Sequence, residues 1–291
     1  MLVPNDLYPE SVADARRLAD WLDDQLVDVV WAPSFRLDAD PASPAGMGMR
    51  GDAELLDGVE LVVSLGGDGT LLRAVRLVGD AQIPILGLSY GHLGFLTCDQ
   101  GELDVCGIVG RALAGELHPS RRACLHATLW GADAAGQQVR REAFALNEVV
   151  LSRGGSGKIV EFDVKVNGRA IDDLRGDGFV VASATGSTGY ALSAGGPIVT
   201  PEFKGMVCVP IAPHTITARA FLTSASDVVE LDVTDARSVD RCVFADGVAL
   251  AGDMLVERLV VRRAPADIIL LVNDVNEFYG SVSRVFYGAC R

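Results

Sequence analysis

The sequence predicts two architectures in succession, an α/β N-terminal domain with a parallel sheet and then an all-β C-terminal domain. Within residues 1–120, strand-like and helix-like patterns alternate, which is typical of a parallel sheet covered by helices. Within residues 121–267, short strand-like runs follow one another and no long amphipathic helix interrupts them. Residues 268–291 form an apolar tail that we expect to return to the first domain.

The N-terminal elements follow from the spacing of apolar residues, which recurs every three or four positions in helices and continuously in buried strands. The predicted elements are the end of a strand at 2–4, a helix at 10–26, strands at 27–32, 61–65 and 84–88, and helices at 70–78 and 104–113. Ligands of parallel sheets bind beyond the carboxyl ends of the strands. We therefore expect the glycine-bearing turns at 66–69 and 87–94 to lie at the ligand edge.

The second half is predicted from short runs rich in β-branched and aromatic residues. These runs lie at 123–130, 139–144, 148–151, 161–166, 169–171, 179–182, 207–211, 228–233, 243–244 and 256–261. Asn167-Gly168 stands between two of them and predicts a two-residue hairpin turn.

Composition excludes several classes of protein. The 291 residues are 49% apolar and carry a formal charge of −14, which argues against nucleic acid or an anionic membrane as a partner. No apolar run reaches the length of a membrane span, and the N-terminus lacks a signal-peptide pattern. Six scattered cysteines without a C-x-x-C pair are typical of reduced thiols, so we expect a cytoplasmic protein without a structural zinc site.

The stretch from Leu61 to Leu72 (LVVSLGGDGTLL) carries the first candidate site. A buried strand, a glycine turn and a helix N-terminus together bring free backbone N–H groups and the helix dipole to one point, which favours an anion. Asp68 is unusual there, because a carboxylate repels a phosphate unless it accepts a proton or faces a metal. The alternative is a tight turn in which Asp68 or Thr70 only caps the helix.

The second half carries another candidate site. Arg175-Gly-Asp-Gly178 precedes a run of small and hydroxyl residues from Ala184 to Pro197, with Tyr190 as its ring. Such residues allow the backbone to approach a flat polar ligand closely, although a glycine-rich corner of a β domain would share the glycines. No spacing of histidines or carboxylates predicts a metal site built by the protein alone.

Taken together, these motifs resemble those of the NAD kinase family over residues 1 to about 261. They are GGDGT at 66–70, GHLGFLT at 91–97, Asn147-Glu148, RGDG at 175–178, TGSTGYALSAGGP at 185–197 and PHTITAR at 213–219. GGDGT alone is shared with diacylglycerol, sphingosine and phosphofructokinase-type kinases. The TGSTGY-to-AGGP stretch is more specific, and the resemblance depends mainly on it.

The resemblance implies an NAD kinase/diacylglycerol kinase-like fold and a reaction. The γ-phosphoryl group of ATP, bound with Mg²⁺, would pass to the adenosine 2′-hydroxyl of NAD to give NADP. Asp68 would accept the proton, Asn147 and Glu148 would hold the adenosine, and Asp177 would accept from the nicotinamide ribose or carboxamide. Further binding residues implied are Gly66, Gly67, Gly69, Thr70, Arg73, Phe95, Lys158, Arg175, Thr188, Gly189, Tyr190, Ala191, Leu192 and Ser193.

Two positions depart from the family pattern, because Gly189 replaces a usual alanine and Val248 replaces a frequent glutamine. The resemblance also implies a homodimer or homotetramer, packed through the β domains. Arg175 favours ATP over polyphosphate as the donor. The alternatives are a lipid or sphingoid-base kinase that shares GGDGT, and a non-catalytic dinucleotide-binding module.

Overall fold

The computed structural model describes residues 1–33, 53–90, 95–98, 103–233, 241–252, 254–274 and 276–288. Contacts divide the described chain into two compact units. Unit 1 comprises residues 1–121 and 268–288, apart from the gaps just given, and unit 2 comprises residues 122–267 with its own gaps. No helix in the described ranges is both long and apolar enough to cross a membrane.

Unit 1 is an α/β unit with a five-stranded sheet in the order β1-β2-β3-β17-β4. The pairs β1–β2, β2–β3 and β3–β17 are parallel. Its elements are β1 (Leu2–Pro4), α1 (Pro9–Asp24), β2 (Val62–Gly66), α2 (Asp68–Val78), β3 (Ile85–Ser89), α3 (Val105–Leu113), β4 (His118–Arg122), β17 (Ile268–Val272) and α5 (Glu277–Phe286). The predicted parallel α/β architecture is confirmed.

Apolar spacing explains how the helices of unit 1 pack. Helix α1 begins with Pro9 at its first turn, where no backbone N–H is needed, and it buries a stripe that includes Ala15, Leu18 and Leu22. Helix α3 begins after Asp104, whose carboxylate accepts a hydrogen bond from the Gly107 amide at 2.9 Å. These stripes share one apolar core with strands β2 and β3.

The predicted strand at 27–32 is wrong. Only Trp31 forms an isolated bridge there, parallel to Leu2. Leu2 donates to the carbonyl of Val30 at 2.8 Å and accepts from the amide of Ala32 at 2.9 Å. The segment is therefore held at one residue of a short β1, which is too little pairing for a strand.

Unit 2 contains two six-stranded antiparallel sheets, in the orders β12-β11-β10-β7-β14-β15 and β6-β5-β16-β13-β8-β9. Its strands are β5 (Leu125–Ala132), β6 (Gln138–Ala145), β7 (Glu148–Arg153), β8 (Val160–Val166), β9 (Arg169–Gly176), β10 (Gly178–Ala182), β11 (Val207–Ile211), β12 (Phe221–Leu222), β13 (Val228–Val233), β14 (Arg241–Ala245), β15 (Val248–Ala249) and β16 (Leu255–Arg263). Side chains of both sheets form one buried cluster, in which Phe162 meets Phe179 edge-on at 6.0 Å. The predicted all-β second half is confirmed.

The Asn167-Gly168 turn is confirmed as the connection between β8 and β9. Both residues have positive φ, 51° and 75°, and Val166 pairs with Arg169 directly across the turn. This is the backbone of a type I′ hairpin turn, for which Asn-Gly is the preferred dipeptide.

Candidate functional site

The GGDGT turn in unit 1 joins β2 to α2 without any intervening loop. Gly67 caps the helix, and its carbonyl accepts from the amides of Thr70 and Leu71 at 3.0 and 3.1 Å. A Cβ on Gly66 would lie 2.2 Å from Thr70 Oγ1, whereas a Cβ on Gly67 or Gly69 would meet no atom of the described residues within 4 Å. Gly66 therefore allows tight packing, while Gly67 and Gly69 leave the backbone open to a ligand.

Asp68 is the first residue of α2 and is half-buried. Its Oδ1 atom is buried and accepts no hydrogen bond from the described part of the chain. Burial raises the pKa of Asp68 above its usual range, and a hydrogen bond from the Leu96 amide opposes that rise. A carboxylate with one unpartnered oxygen and a raised pKa is suited to accept a hydrogen bond or a proton.

A cavity of about 620 Å³ lies beside this turn in unit 1. Its lining comprises Asn5, Asp6, Leu7, Tyr8, Gly67, Gly69, Thr70, Arg73, Arg76 and Tyr90. Two arginines one turn apart on α2, together with the helix N-terminus, make it attractive to phosphate. Burial lowers the pKa of Arg73 while Asp6 opposes the change, and the Arg73 guanidinium donates to the Pro4 carbonyl at 3.3 Å.

Tyr90 lies within the second predicted glycine-bearing turn, at 87–94, and Phe95 follows that turn. The Tyr90 hydroxyl donates to Asp14 Oδ2 at 2.8 Å, so that side of the cavity is fixed by helix α1. The Phe95 ring stacks on Phe286 at 5.7 Å and lies 6.3 Å from Phe278, both on α5. Phe95, predicted as a binding residue, is thus in an aromatic cluster, and residues 91–94 of the GHLGFLT motif are outside the described chain.

In unit 2, Asn147 and Glu148 stand at the start of β7. Backbone amides of three successive residues converge on the carboxylate of Asp246: Leu146 at 2.7 Å, Asn147 at 2.8 Å and Glu148 at 3.1 Å. The Asn147 carbonyl accepts from the Ser183 amide at 2.8 Å, which ties the strand start to the end of β10. The backbone here is therefore closely held.

The side chains of Asn147 and Glu148 are less satisfied than their backbone. Asn147 Oδ1 and Glu148 Oε2 are buried and have no hydrogen-bond partner among the described residues. Burial raises the pKa of Glu148 to about 7, the charge of Asp246 adds to the rise, and a hydrogen bond from the Tyr190 amide opposes it. Buried polar atoms without partners are rare, and together these two indicate a place for a polar ligand.

The hydroxyl-rich segment continues from this point. A 3₁₀ turn spans Thr185–Thr188, and a short helix, α4, spans Tyr190–Ser193. Gly186 packs on the Asn147 carbonyl so closely that a Cβ would lie 2.1 Å from its oxygen. A Cβ on Gly189 would lie 3.3 Å from Glu148 Oε2. The structure thus brings this segment to Asn147 and Glu148.

Within that segment the exposure of the predicted binding residues varies. Gly189, Tyr190 and Ser193 are exposed, Thr188 and Leu192 are half-buried, and Ala191 is buried in an apolar cluster. Thr188 Oγ1 donates to the Thr185 carbonyl at 3.3 Å. The Tyr190 ring, 43% exposed, is the aromatic surface that remains open to a flat ligand.

Two charged candidates of unit 2, Arg175 and Asp177, form ion pairs within the chain. Arg175 forms an ion pair with Glu161 at 2.7 Å, and Asp177 forms one with Arg153 at 3.2 Å. Lys158 is exposed on the connection between β7 and β8. The backbone at RGDG requires glycine at its end, because Gly178 has φ of 153° and a Cβ would lie 2.0 Å from the Leu151 carbonyl oxygen.

Sequence reasoning missed several residues of these two regions. Asp246 is absent from the predicted site residues, although the Asp-Gly dipeptide after a strand is a turn signal. The unit 1 cavity is also lined by Arg76, Tyr90 and residues 5–8. Of these, only Arg76 could be predicted from the sequence, because it lies one turn after Arg73.

Two sequence models match the chain. The ATP-NAD kinase N-terminal domain matches residues 1–101, and the ATP-NAD kinase C-terminal domain matches residues 146–270. The chain belongs to the ATP-NAD kinase family. It is therefore a kinase, a transferase of a family that acts on NAD, and the lipid-kinase alternative is not favoured.

Curated relatives support this membership of the ATP-NAD kinase family. An NAD kinase of Geotalea daltonii is 40% identical over 187 residues, which is 64% of this chain and 62% of the relative, so the match spans less than two thirds of that protein. An NAD kinase of Gemmatimonas aurantiaca is 39% identical over 71% of this chain and 70% of the relative. One of Aromatoleum aromaticum is 34% identical over 95% of this chain and 89% of the relative.

Solved structures support the ATP-NAD kinase fold. Yeast NADH kinase complexed with NADH superposes with a TM-score of 0.83 at 20% identity, covering 100% of this chain and 87% of the yeast chain. An NAD kinase from Archaeoglobus fulgidus in complex with ATP gives a TM-score of 0.68 at 24% identity, covering 94% and 93%. At these identities the likeness establishes the fold.

Proposed function

We propose that this chain transfers the γ-phosphoryl group of ATP to the 2′-hydroxyl of the adenosine ribose of NAD, with Asp68 as the proton acceptor. The observation that carries this proposal is the buried Oδ1 of Asp68, which has no hydrogen-bond partner among the described residues, at the glycine turn of an ATP-NAD kinase domain. A hydroxyl group of a substrate would give that oxygen the hydrogen bond it lacks.

Asp68 acts by orienting the hydroxyl and taking its proton as the new P–O bond forms. The raised pKa of Asp68 makes its carboxylate a stronger base than an exposed aspartate, although it must still be ionised at the working pH. Phosphoryl transfer depends mainly on positioning and on stabilising charge, so one well-placed carboxylate is enough acid–base chemistry for the protein.

The donor phosphates bind at the cavity beside the GGDGT turn. Gly67 and Gly69 leave room for close approach of a phosphate, the N-terminus of α2 favours negative charge, and Arg73 and Arg76 line the same cavity. These local donors are needed because the whole chain carries a formal charge of −14, which repels a polyphosphate.

Mg²⁺ fits this chemistry as an ion carried by the triphosphate. Among the described residues there is no cluster of three or more His, Cys, Asp or Glu that could hold a metal, so the phosphates of the substrate would supply most of the ligands. Mg²⁺ is commonly held by one or two carboxylates together with substrate phosphates. When bound, it spreads the negative charge of the transferring group.

NAD binds to unit 2 through the adenosine. Asn147 Oδ1 and Glu148 Oε2 accept hydrogen bonds from the adenosine, and Tyr190 offers its exposed ring. Thr188, Gly189, Leu192 and Ser193 line the adenine, and Ala191, which is buried, anchors the short helix α4. Asp177 accepts from the nicotinamide ribose or carboxamide, for which it exchanges its ion pair with Arg153, and Lys158 and Arg175 supply positive charge.

The direct test is NADP formation from NAD and Mg²⁺ with ATP, and in parallel with polyphosphate. We expect turnover with ATP, and faster turnover with ATP than with polyphosphate, because the Arg175 guanidinium suits a defined triphosphate. NAD bound without turnover would support the non-catalytic alternative. Equal or faster turnover with polyphosphate would overturn the donor preference alone.

Assembly is a separate part of the proposal. We infer a homodimer or homotetramer packed through the β-rich units, in which one subunit completes the site of the next. Light scattering at the concentration of the activity assay tests this, and a fully active monomer would overturn it.

A further inference from the structure

We propose that Asp246 is a positioning residue, whose carboxylate gathers the backbone amides of residues 146–148 and so fixes the directions of the Asn147 and Glu148 side chains. This inference rests on the proposed function, because it requires Asn147 and Glu148 to contact NAD. Asp246 itself needs no contact with either substrate.

The contacts of Asp246 are concentrated on one short stretch of backbone. Oδ2 accepts from the Leu146 amide at 2.7 Å, and Oδ1 accepts from the Asn147 and Glu148 amides at 2.8 and 3.1 Å. In return, the Asp246 amide donates to the Glu148 carbonyl at 3.0 Å. Successive amides that converge on one anion form a nest, and hydrogen bonds to a charged acceptor are the stronger class.

The turn that carries Asp246 is itself short. Asp246 and Gly247 connect β14 to β15, with Ala245 paired directly to Val248. Their φ values are 45° and 77°, a conformation that aspartate, asparagine and glycine tolerate better than other residues. A two-residue turn leaves the carboxylate little freedom, so it can serve as a fixed point for the start of β7.

The side chains of Asn147 and Glu148 have few other hydrogen bonds at the atoms that would face NAD. Asn147 Oδ1 and Glu148 Oε2 have no hydrogen-bond partner among the described residues, so the backbone beneath them sets where they point. Asp246 is also the charged group that faces Glu148, while helix α4 supplies only the Tyr190 amide. The same carboxylate therefore holds Glu148 in place and biases it toward its protonated form.

The test compares three variants. Asp246→Asn keeps the turn and Oδ1 but loses the charge and the acceptor for Leu146, and Asp246→Gly fits the positive φ and removes every acceptor. The control is Asp133→Asn, because Asp133 also accepts two backbone amides in a hairpin turn, those of Ala135 and Gln137 at 2.9 Å, but outside the site.

We expect the KM for NAD to rise about tenfold in Asp246→Asn and further in Asp246→Gly, while kcat changes little. Hydrogen exchange of the amides at 146–148 should become faster in the same order. The pH below which the KM for NAD rises should move downward in Asp246→Asn, because removing the negative charge makes Glu148 easier to ionise. The control should leave all three measurements at their wild-type values.

If the wild type forms no NADP, the proposed function is wrong. Hydrogen exchange of the amides at 146–148 would still test whether Asp246 holds that stretch of backbone. With an active wild type, an unchanged KM and pH profile in Asp246→Asn would overturn the positioning role. A change equal to that of the control would do the same. Should Asp246→Asn fail to fold, Asp246→Gly gives the same comparison.

Discussion

Unit 1 and unit 2 each carry a partly buried acid at the candidate site, and the two acids differ in the groups that surround them. Asp68 in unit 1 and Glu148 in unit 2 each have one buried oxygen without a hydrogen-bond partner among the described residues. Burial raises the pKa of both, and one backbone amide opposes the rise in each case. Only Glu148 also faces a second carboxylate, that of Asp246.

That difference assigns different chemistry to the two acids. With a pKa of about 7, Glu148 changes its charge near neutral pH, so it can exchange between accepting and donating a hydrogen bond. No acidic group among the described residues raises the pKa of Asp68, and Asp68 lies at a helix N-terminus, which favours the ionised form. Burial alone therefore does not separate the roles of Asp68 and Glu148, whereas the charge of Asp246 beside Glu148 does.

The largest expected effect is that of Asp68→Asn. General-base loss costs about 10²–10⁴ in rate, or roughly 3–5 kcal/mol of barrier, because an amide cannot take the 2′-hydroxyl proton. Turnover should therefore fall at least about a hundredfold, while the KM for NAD stays near the wild-type value.

Stability should not fall in Asp68→Asn. The folded pKa of Asp68 is raised, so its ionised form costs stability at neutral pH and asparagine removes that cost. Kinetics and thermal melting should be measured beside Asp80→Asn, an exposed acid of the same unit. More than about a tenth of wild-type turnover would mean that Asp68 is structural.

The second effect is a pH-dependent gain in stability in Glu148→Gln. A rise of the Glu148 pKa from 4.5 to about 7 corresponds to roughly 3 kcal/mol of cost to the folded state once the carboxyl is ionised. The sign follows from the direction: the cost is absent below pH 4.5, grows between pH 4.5 and 7, and is complete above pH 7.

Urea unfolding of Glu148→Gln from pH 4.5 to 8 measures this difference. Exposed Glu257→Gln is the control and should match the wild type throughout. A stability difference that does not vary with pH would show that burial and the charge of Asp246 do not raise the pKa of Glu148 in the folded state.

The third effect tests how tightly the unit 2 site is packed. In Gly186→Ala the new Cβ would lie 2.1 Å from the backbone oxygen of Asn147, and neither atom belongs to a flexible side chain. Overpacking of this kind costs about 1–3 kcal/mol. We expect lower thermal stability together with weaker NAD binding, measured by calorimetry. Gly155→Ala, where a Cβ meets nothing within 4 Å, should change neither.

The smallest effect is that of Gly189→Ala, which restores the residue that the family resemblance implies. Its Cβ would lie 3.3 Å from Glu148 Oε2 and from the Gly186 carbonyl oxygen, a contact that a shift of a few tenths of an ångström relieves. Stability and NAD binding should change by less than about 0.5 kcal/mol. A larger loss would indicate that Gly189 keeps space that NAD itself needs.

The two regions also differ in how far the sequence predicts them. In unit 1, the strand, the turn and the helix around Asp68 lie in one continuous stretch, so local spacing and glycine chemistry predict them within a residue or two. In unit 2, the bonds that hold residues 146–148 come from Asp246, 98 to 100 positions along the chain. No local pattern encodes such a pairing.

The same physical reason accounts for the wrong strand at 27–32 and for the tail. A run of apolar residues indicates that a segment is buried, but the segment becomes a strand only if a neighbouring strand is long enough to pair with it. Strand β1, the neighbour of residues 27–32, has only three residues. The tail from residue 268 reads as apolar in sequence. Only the fold shows that it inserts between β3 and β4 as β17 and ends in helix α5.

The insertion of β17 has a consequence for the order of events during synthesis. Leu270 of β17 pairs with Ile85 of β3, so the sheet of unit 1 stays incomplete until residue 270 has been made. At translation rates of about 5–20 residues per second, β3 waits roughly ten to forty seconds for that neighbour. The strands of unit 2 all lie between residues 125 and 263, so all of them have been made before β17. The nascent chain therefore exposes an open sheet edge in the half that carries Asp68, and this is the half in which we expect a ribosome-bound chaperone to be needed.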